Sequence, residues 1–160
     1  MQTRSSSGLT LIELTITLGI IVILASVLLL VMEIPELEQK ARDNKRLSDI
    51  ATIERIINEY ANNAKSFPGI ANTTYASNVI PDEEEGQDIL VSGWIYADFT
   101  LYSPTLPIDP KNTDNHVYSY RHNGKAYEIN ASLEYFDNLM QEDNGDDPAL
   151  YEVGTNLSIL

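Results

Sequence analysis

The stretch Gly8–Leu14, which reads GLTLIEL, opens an apolar run that continues to Met32 and contains one ionisable side chain, Glu13. Roughly 20 apolar residues in a helix span the ~30 Å hydrocarbon core of a bilayer. A helix is suited to this setting because it satisfies its own backbone polar groups. The sequence therefore predicts a membrane helix over 9–32. A carboxylate within hydrocarbon costs about 2.5–3.5 kcal/mol near a helix centre. Glu13 lies only four residues after Leu9, at a shallower position where the cost is lower, but an acid within a membrane segment still calls for a partner.

The eight residues before the apolar run form a polar leader with one basic residue, Arg4, which favours the cytoplasmic side. A secretory signal places its small-residue cleavage site after the apolar segment. Here the small-residue boundary, Ser7-Gly8, comes before it, so cleavage would remove the leader and retain the helix. The new amine on Leu9 would then lie near Glu13, either within one helix or between staggered chains.

The GLTLIEL motif and the uninterrupted apolar helix resemble the class III leader of type IV pilins and type II secretion pseudopilins. The resemblance implies cleavage after Gly8 by a prepilin peptidase and N-methylation of Leu9. It also implies that Glu13 pairs with the N-terminus of a neighbouring subunit. Leu9 departs from the family, in which Phe is usual at this position. The competing interpretation is a plain signal anchor with an incidental Glu.

Charge is concentrated in the C-terminal part of a chain whose formal net charge is −14. From Ser66 onward there are sixteen acidic residues against three basic ones. Such a surface repels phosphate backbones, so no nucleic-acid partner is expected. It favours solubility and cation binding. The chain has no cysteine, which excludes a disulfide clamp in the predicted head.

Residues 33–65 are predicted to form an amphipathic helix that ends at the turn Ser66–Gly69. Its opposite side carries mixed charges, which we expect to be exposed or to meet neighbouring subunits. Its apolar stripe, expected to pack on the sheet of the head, comprises Leu47, Ile50, Ile53, Ile57, Tyr60, Ala61 and Ala64.

The remaining chain divides into a loop region, 66–116, and a β-sheet head, 117–160. The lone Trp94 is expected to fill the head core. Alternation predicts strands over Val117–Arg121 and Lys125–Leu133, joined by a hairpin at Asn123-Gly124, and a third over Tyr151–Val153. One sheet face should be buried and the other wet. The predicted fold class is α+β, with the long N-terminal helix on a small antiparallel sheet of about three strands, as in pilins.

The loop 141–148 offers hard oxygen ligands at close spacing, with Asp143, Asp146 and Asp147 as candidate Ca²⁺ ligands. It lacks the full spacing of an EF-hand loop. Major pseudopilins bind Ca²⁺ in a C-terminal acidic loop, and this loop is similar to theirs. The alternative is an acidic turn that binds no metal.

No nucleophile elbow, phosphate loop or zinc pattern occurs in the sequence. His116 and His122 flank a hairpin strand without a metal-ligand spacing, and they are expected at the surface. The sequence therefore predicts no catalytic function.

The resemblance implies that the chain is a structural subunit of a type IV filament. The chain would be a prepilin in the inner (cytoplasmic) membrane, then part of an extracellular or periplasmic homopolymer. Its partners would be copies of itself, prepilin peptidase and the assembly machinery. The filament would be a surface pilus for adhesion or motility; alternatively, it would be the pseudopilus of a secretion system. A more distant alternative is a monomeric, membrane-anchored binding module.

Overall fold

The computed structural model of the chain describes residues 10–79 and 93–160, apart from the side chains of 30–34. Gly8, Leu9 and the acidic run 82–85 lie outside the described residues. Two compact units divide the chain, Met1–Glu38 and Gln39–Leu160. Within the described ranges the elements are α1 (Leu11–Ala64), β1 (Tyr75–Ala76), β2 (Ser119–His122), β3 (Tyr127–Ala131), α2 (Asp137–Glu142) and β4 (Tyr151–Gly154).

Helix α1 covers residues 11–32 of the first predicted helical segment and 33–64 of the second, and it contains Pro35. It ends one turn before Pro68, close to the predicted stop. Lys65 adopts a left-handed conformation, with φ of 59°, and its backbone N–H donates to the carbonyl of Ala61 at 3.0 Å. A left-handed residue just past the last turn is a common way for a helix to end.

The sheet is antiparallel with strand order β1-β2-β3-β4, so it has one strand more than predicted. The additional strand, β1, lies in the region predicted as loop. It places Tyr75 opposite Tyr120 at the edge of the sheet. Two residues are too few for an alternating pattern, which explains why the sequence did not predict this strand.

The predicted hairpin between β2 and β3 is confirmed. Asn123 donates its backbone N–H to the carbonyl of Ala126 at 3.0 Å. Its side-chain Oδ1 accepts from the backbone N–H groups of Lys125 and Ala126, each at 2.9 Å. Gly124 has a φ of 85°, which favours glycine at this position.

The core of the second unit joins the helical stripe to the inner face of the sheet. Ile50, Ile53 and Ile57 are buried as predicted, and Ile56 is an additional core residue. Trp94 is only 3% exposed and donates its indole N–H to the carbonyl of Pro107 at 2.8 Å, so its predicted core position is confirmed. The sheet contributes Tyr118, Tyr120, Tyr127, Ile129 and Ala131.

The prediction that the outer sheet face is wet was wrong for β3, in which all five residues are buried. Glu128 and Asn130 point away from the aromatic core residues, yet they are 0% and 2% exposed. C-terminal residues help to bury this outer face of the sheet, because the backbone N–H groups of Ile159 and Leu160 donate to Glu128 Oε2. No local pattern in the sequence indicates that C-terminal residues pack on this face.

His122 also differs from expectation, because it is only 4% exposed. Its ring lies beside those of Phe67 and Tyr120, and its Nε2 is 3.3 Å from the carbonyl oxygen of Gly69. Burial lowers the pKa of His122. This histidine is therefore part of the core, whereas His116 is partly exposed.

Candidate functional site

The first candidate region is the exposed apolar part of α1. Leu11–Leu29 has a mean hydropathy of 2.5 over 19 residues, and its side chains are exposed. A helix of this length and composition can cross a bilayer, as a membrane anchor or as a signal segment.

The polar side chains of this segment differ in whether they find partners within the helix. The hydroxyls of Thr15 and Thr17 donate to the carbonyls of Ile12 and Leu14, both at 2.9 Å. Ser26 bonds to a preceding carbonyl in the same way. Such local bonds satisfy a hydroxyl inside an apolar helix. By contrast, the carboxylate of Glu13 has no hydrogen bond or ion pair with any residue in 10–79 or 93–160.

Glu13 also lies next to a helix cap, formed by Thr10, that the sequence-based reasoning missed. Thr10 precedes the helix, and its Oγ1 accepts from the backbone N–H of Glu13 at 3.3 Å. The spacing Thr-x-x-Glu is that of a capping box, although the return bond from the backbone N–H of Thr10 to the Glu13 carboxylate is not made among the described residues. A negative charge in the first turn also interacts favourably with the helix dipole. Any test of Glu13 must therefore separate capping from charge pairing.

The second region is a buried charge cluster between α1 and the head. The guanidinium of Arg46 donates to Asp109 at 2.6 and 3.1 Å, to Asp43 at 2.8 Å and to Glu134 at 2.7 Å. The side chains of Arg46, Asp43 and Asp109 are fully buried. The expectation that the charged side of this helix is exposed was therefore wrong at Asp43 and Arg46.

The cluster continues into the segment just before α2, which contains Glu134. Asp43 Oδ2 accepts from the backbone N–H groups of Tyr135 and Phe136 at 2.7 and 3.1 Å. Glu134 pairs with Arg42 at 2.7 Å and Lys111 at 2.6 Å. The hydrogen bond from Arg42, with those from Lys111 and Arg46, holds the pKa of Glu134 well below its usual range. The cluster thus fixes α1 against two separate segments of the head.

We predict that Glu134→Gln flattens the acid side of the stability profile. Because the pKa of Glu134 is lowered in the folded state, its stabilising contribution is complete above its unfolded pKa of about 4.5 and is lost as the pH falls below that value. The wild-type chain should therefore lose more stability between about pH 5 and pH 3 than the variant. Urea-unfolding midpoints measured across this range check the prediction, and parallel pH profiles would contradict it.

The third region is the acidic loop before β4. Asp143 Oδ1 accepts from the N–H of Gly145 and its Oδ2 from the N–H of Glu152, both at 2.8 Å. Asp147 Oδ1 accepts from the N–H of Ala149 at 2.9 Å. These two carboxylates therefore shape the loop, while the calcium set Asp143, Asp146 and Asp147 stays a prediction.

Asp146 belongs to a different group of carboxylates. One oxygen from each of Glu128, Asp146 and Glu152 lies within 4.8 Å of the other two. Burial and the negative charges of Glu128 and Asp146 raise the pKa of Glu152 to about 7. Sequence reasoning missed Glu128 and Glu152, since strand alternation places acidic residues on an outer, wet face.

Comparison with protein-family models, curated proteins and solved structures gives no match. The predicted membership of the pilin family, like the predicted lack of catalytic function, stays a prediction.

Proposed function

We propose that this chain is the structural subunit of a type IV filament. The observation that carries the proposal is the lone carboxylate of Glu13 in the first turn of an exposed, 19-residue apolar helix, without a partner in the described residues. The GLTLIEL motif supports it, because the motif places a cleavable small-residue boundary directly before that helix.

In this proposal, membrane helices leave the lipid and associate in the core of a filament. Prepilin peptidase cleaves after Gly8, and Leu9 becomes the methylated N-terminus. The charged amine of Leu9 in one subunit then pairs with Glu13 of its neighbour. An ion pair inside an apolar bundle fixes register, because any other stagger leaves both charges unpaired. The acidic heads face outward and keep the filament soluble.

The filament we propose is a surface type IV pilus, with the subunit held in the inner (cytoplasmic) membrane before assembly. The second candidate is the pseudopilus of a type II secretion-like system. The acidic loop 141–148 favours the second candidate, because it resembles the Ca²⁺-binding loop of major pseudopilins and brings Asp146 close to two further carboxylates. Neighbouring genes would separate the two, because a secretin with a secretion ATPase indicates a pseudopilus and a retraction ATPase indicates a pilus.

Cleavage after Gly8 gives a direct test of processing. Coexpression with a prepilin peptidase should shorten the wild-type chain by the eight residues of the leader. Gly8→Val should remain mostly full-length, because a branched side chain does not fit a site selective for small residues. Ser5→Val, within the leader but away from the junction, should be processed normally. Mass spectrometry of the membrane fraction measures this. A wild-type chain that keeps its leader, or a Gly8→Val chain processed like the wild type, would contradict the proposal.

A further inference from the structure

His122, the last residue of β2, contacts two separate segments of the head through its two ring nitrogens. Its Nε2 lies 3.3 Å from the carbonyl oxygen of Gly69, in the turn that follows α1. Its Nδ1 accepts from the backbone N–H of Gly124, in the β2–β3 hairpin, at 3.2 Å. A carbonyl oxygen can only accept a hydrogen bond, so Nε2 carries the proton and Nδ1 carries none. Both contacts are therefore satisfied when the imidazole is neutral.

Further hydrogen bonds hold the same turn, residues 67–72, on the sheet. The carbonyl oxygen of His122 accepts from the backbone N–H of Asn72 at 2.7 Å. The hydroxyl of Tyr120 donates to the carbonyl of Pro68 at 3.1 Å. The edge strand β1 follows shortly after this turn. The ring and the backbone of His122 thus help to fix the segment that leads from α1 to the edge of the sheet.

A charged imidazole would be poorly stabilised at this place. His122 is 4% exposed, and the ring centroids of Phe67 and Tyr120 lie 5.8 and 6.0 Å from its own. A proton on Nδ1 would turn this nitrogen into a donor that faces the N–H donor of Gly124. A buried charge also needs a counter-charge, and no carboxylate in 10–79 or 93–160 forms an ion pair with His122.

The ionisable groups on the elements around this ring do not provide a negative charge. The turn 67–72 contains no ionisable residue, and Glu54 of α1 interacts with Tyr127. The remaining groups are phenols, which are uncharged at acidic pH, and cations. They are the tyrosines Tyr60, Tyr75, Tyr120 and Tyr127, and the basic residues Lys65, Arg121 and Lys125.

We propose that His122 is a pH-sensitive switch, which holds the turn 67–72 against the β2–β3 hairpin while its imidazole is neutral and releases the turn when the imidazole gains a proton. A histidine can serve in this way because its charge changes in the mildly acidic range. Release would free the turn and the edge strand β1, which follows it. The core of α1 around Ile53 should stay folded, because none of its contacts requires an uncharged His122.

The direction of the pH dependence follows from burial, which lowers the pKa of His122 below its ordinary value of 6.5. The closed turn therefore excludes a proton that the open turn accepts. The stabilising contribution of the switch is complete above about pH 6.5 and is lost as the pH falls below that value. The ion pairs of Glu134 persist in this range, because its own pKa is held well below the usual range.

NMR of the imidazole signals tests the protonation step in the full chain, purified in mild detergent. The chain has two histidines, so His116→Gln leaves one signal and assigns it to His122. This signal should titrate below pH 6.5. A midpoint at or above that value would overturn the proposal.

Hydrogen–deuterium exchange with mass spectrometry tests the release of the turn. Exchange is corrected for the intrinsic rates and compared with that of a peptide containing Ile53. Between about pH 7 and pH 5, exchange in peptides containing Asn72 or Gly124 should rise at least about tenfold relative to that reference. No relative rise, or an equal rise in the Ile53 peptide, would overturn the proposal.

His122→Gln separates the charge from the hydrogen bonds, because a Gln amide can donate and accept but does not titrate. Its exchange should show no rise at acidic pH, and a rise like that of the wild type would overturn the proposal. His122→Phe keeps an aromatic ring without nitrogens, so the turn should exchange faster than in the wild type even at neutral pH. Lys125→Gln is the matched control in the same hairpin, and it should respond to acid as the wild type does. The measurements use purified subunits, so their outcome is independent of filament assembly.

Discussion

Replacing Glu13 with Gln is expected to lower the yield of sheared filaments at least about tenfold while the amount of subunit in the membrane stays unchanged. The substitution removes the charge that would pair with the amine of a neighbouring Leu9. A charged group left alone in hydrocarbon costs about 2.5–3.5 kcal/mol near a helix centre, and about half of that cost already corresponds to a tenfold change in an assembly equilibrium. Insertion should not suffer, because Gln is less costly in lipid than a carboxylate.

Gln is the informative replacement because the start of α1 has the spacing of a capping box. A Gln can occupy the third helical position of such a box as a Glu can, and the bond from the backbone N–H of residue 13 to Thr10 is kept in either case. Glu13→Ala removes both the charge and the polar group that a capping box uses. If charge pairing is the role of Glu13, both variants fail to assemble. Normal filaments from Glu13→Gln, with loss only in Glu13→Ala, would reduce Glu13 to a helix cap.

Thr17→Ala is the matched control for these variants. It also removes a polar group from the apolar segment, but Thr17 already bonds to the carbonyl of Leu14 within its own helix. Its filament yield should therefore equal that of the wild type at equal membrane content. Filament yield is measured by shearing cells and comparing the released subunit with the membrane-bound subunit.

The second large effect is expected at Arg46. We predict that Arg46→Met lowers the free energy of unfolding by about 3–5 kcal/mol, since it leaves buried carboxylates without their cation. Asp109 would lose both of its bonds to Arg46, and Asp43 and Glu134 one each. Met keeps most of the side-chain volume, so the loss reports charge compensation rather than a cavity.

Urea unfolding followed by Trp94 fluorescence measures this effect, because Trp94 is buried in the same unit as Arg46. Arg55→Met is the matched control on the same helix. Arg55 pairs with Glu59, but these side chains are 49% and 45% exposed, and an exposed pair contributes less than about 1 kcal/mol. Equal losses in the two variants would show that the buried cluster adds little to stability.

Periodic features of the sequence predicted much of the fold. The apolar run, the stripe through Ile50 and Ile57, and the alternation around Asn123-Gly124 each repeat over several residues, so they identify an element and its buried face. The cluster around Arg46 could not be predicted in this way. Its partners Asp109 and Glu134 are 63 and 88 residues away, and single charges on a helix are usually solvated.

The residues of the candidate sites also differ in whether a pattern in the sequence identifies them. Glu13 was identified because a single acid interrupts a long apolar run, and Asp146 because acids cluster around Gly145 in a loop. Glu128 and Glu152 were missed because they sit at alternating strand positions that normally face water. They are buried by the loop and the C-terminal residues, which carry no pattern that predicts where they will lie.

Assembly as proposed here requires subunits that are processed and then joined through their new N-termini. The most direct test is the mass of the N-terminal peptide of protein recovered from sheared filaments. We expect a peptide that begins at Leu9 and carries one methyl group on its amine. A peptide that begins at Met1 would contradict this expectation.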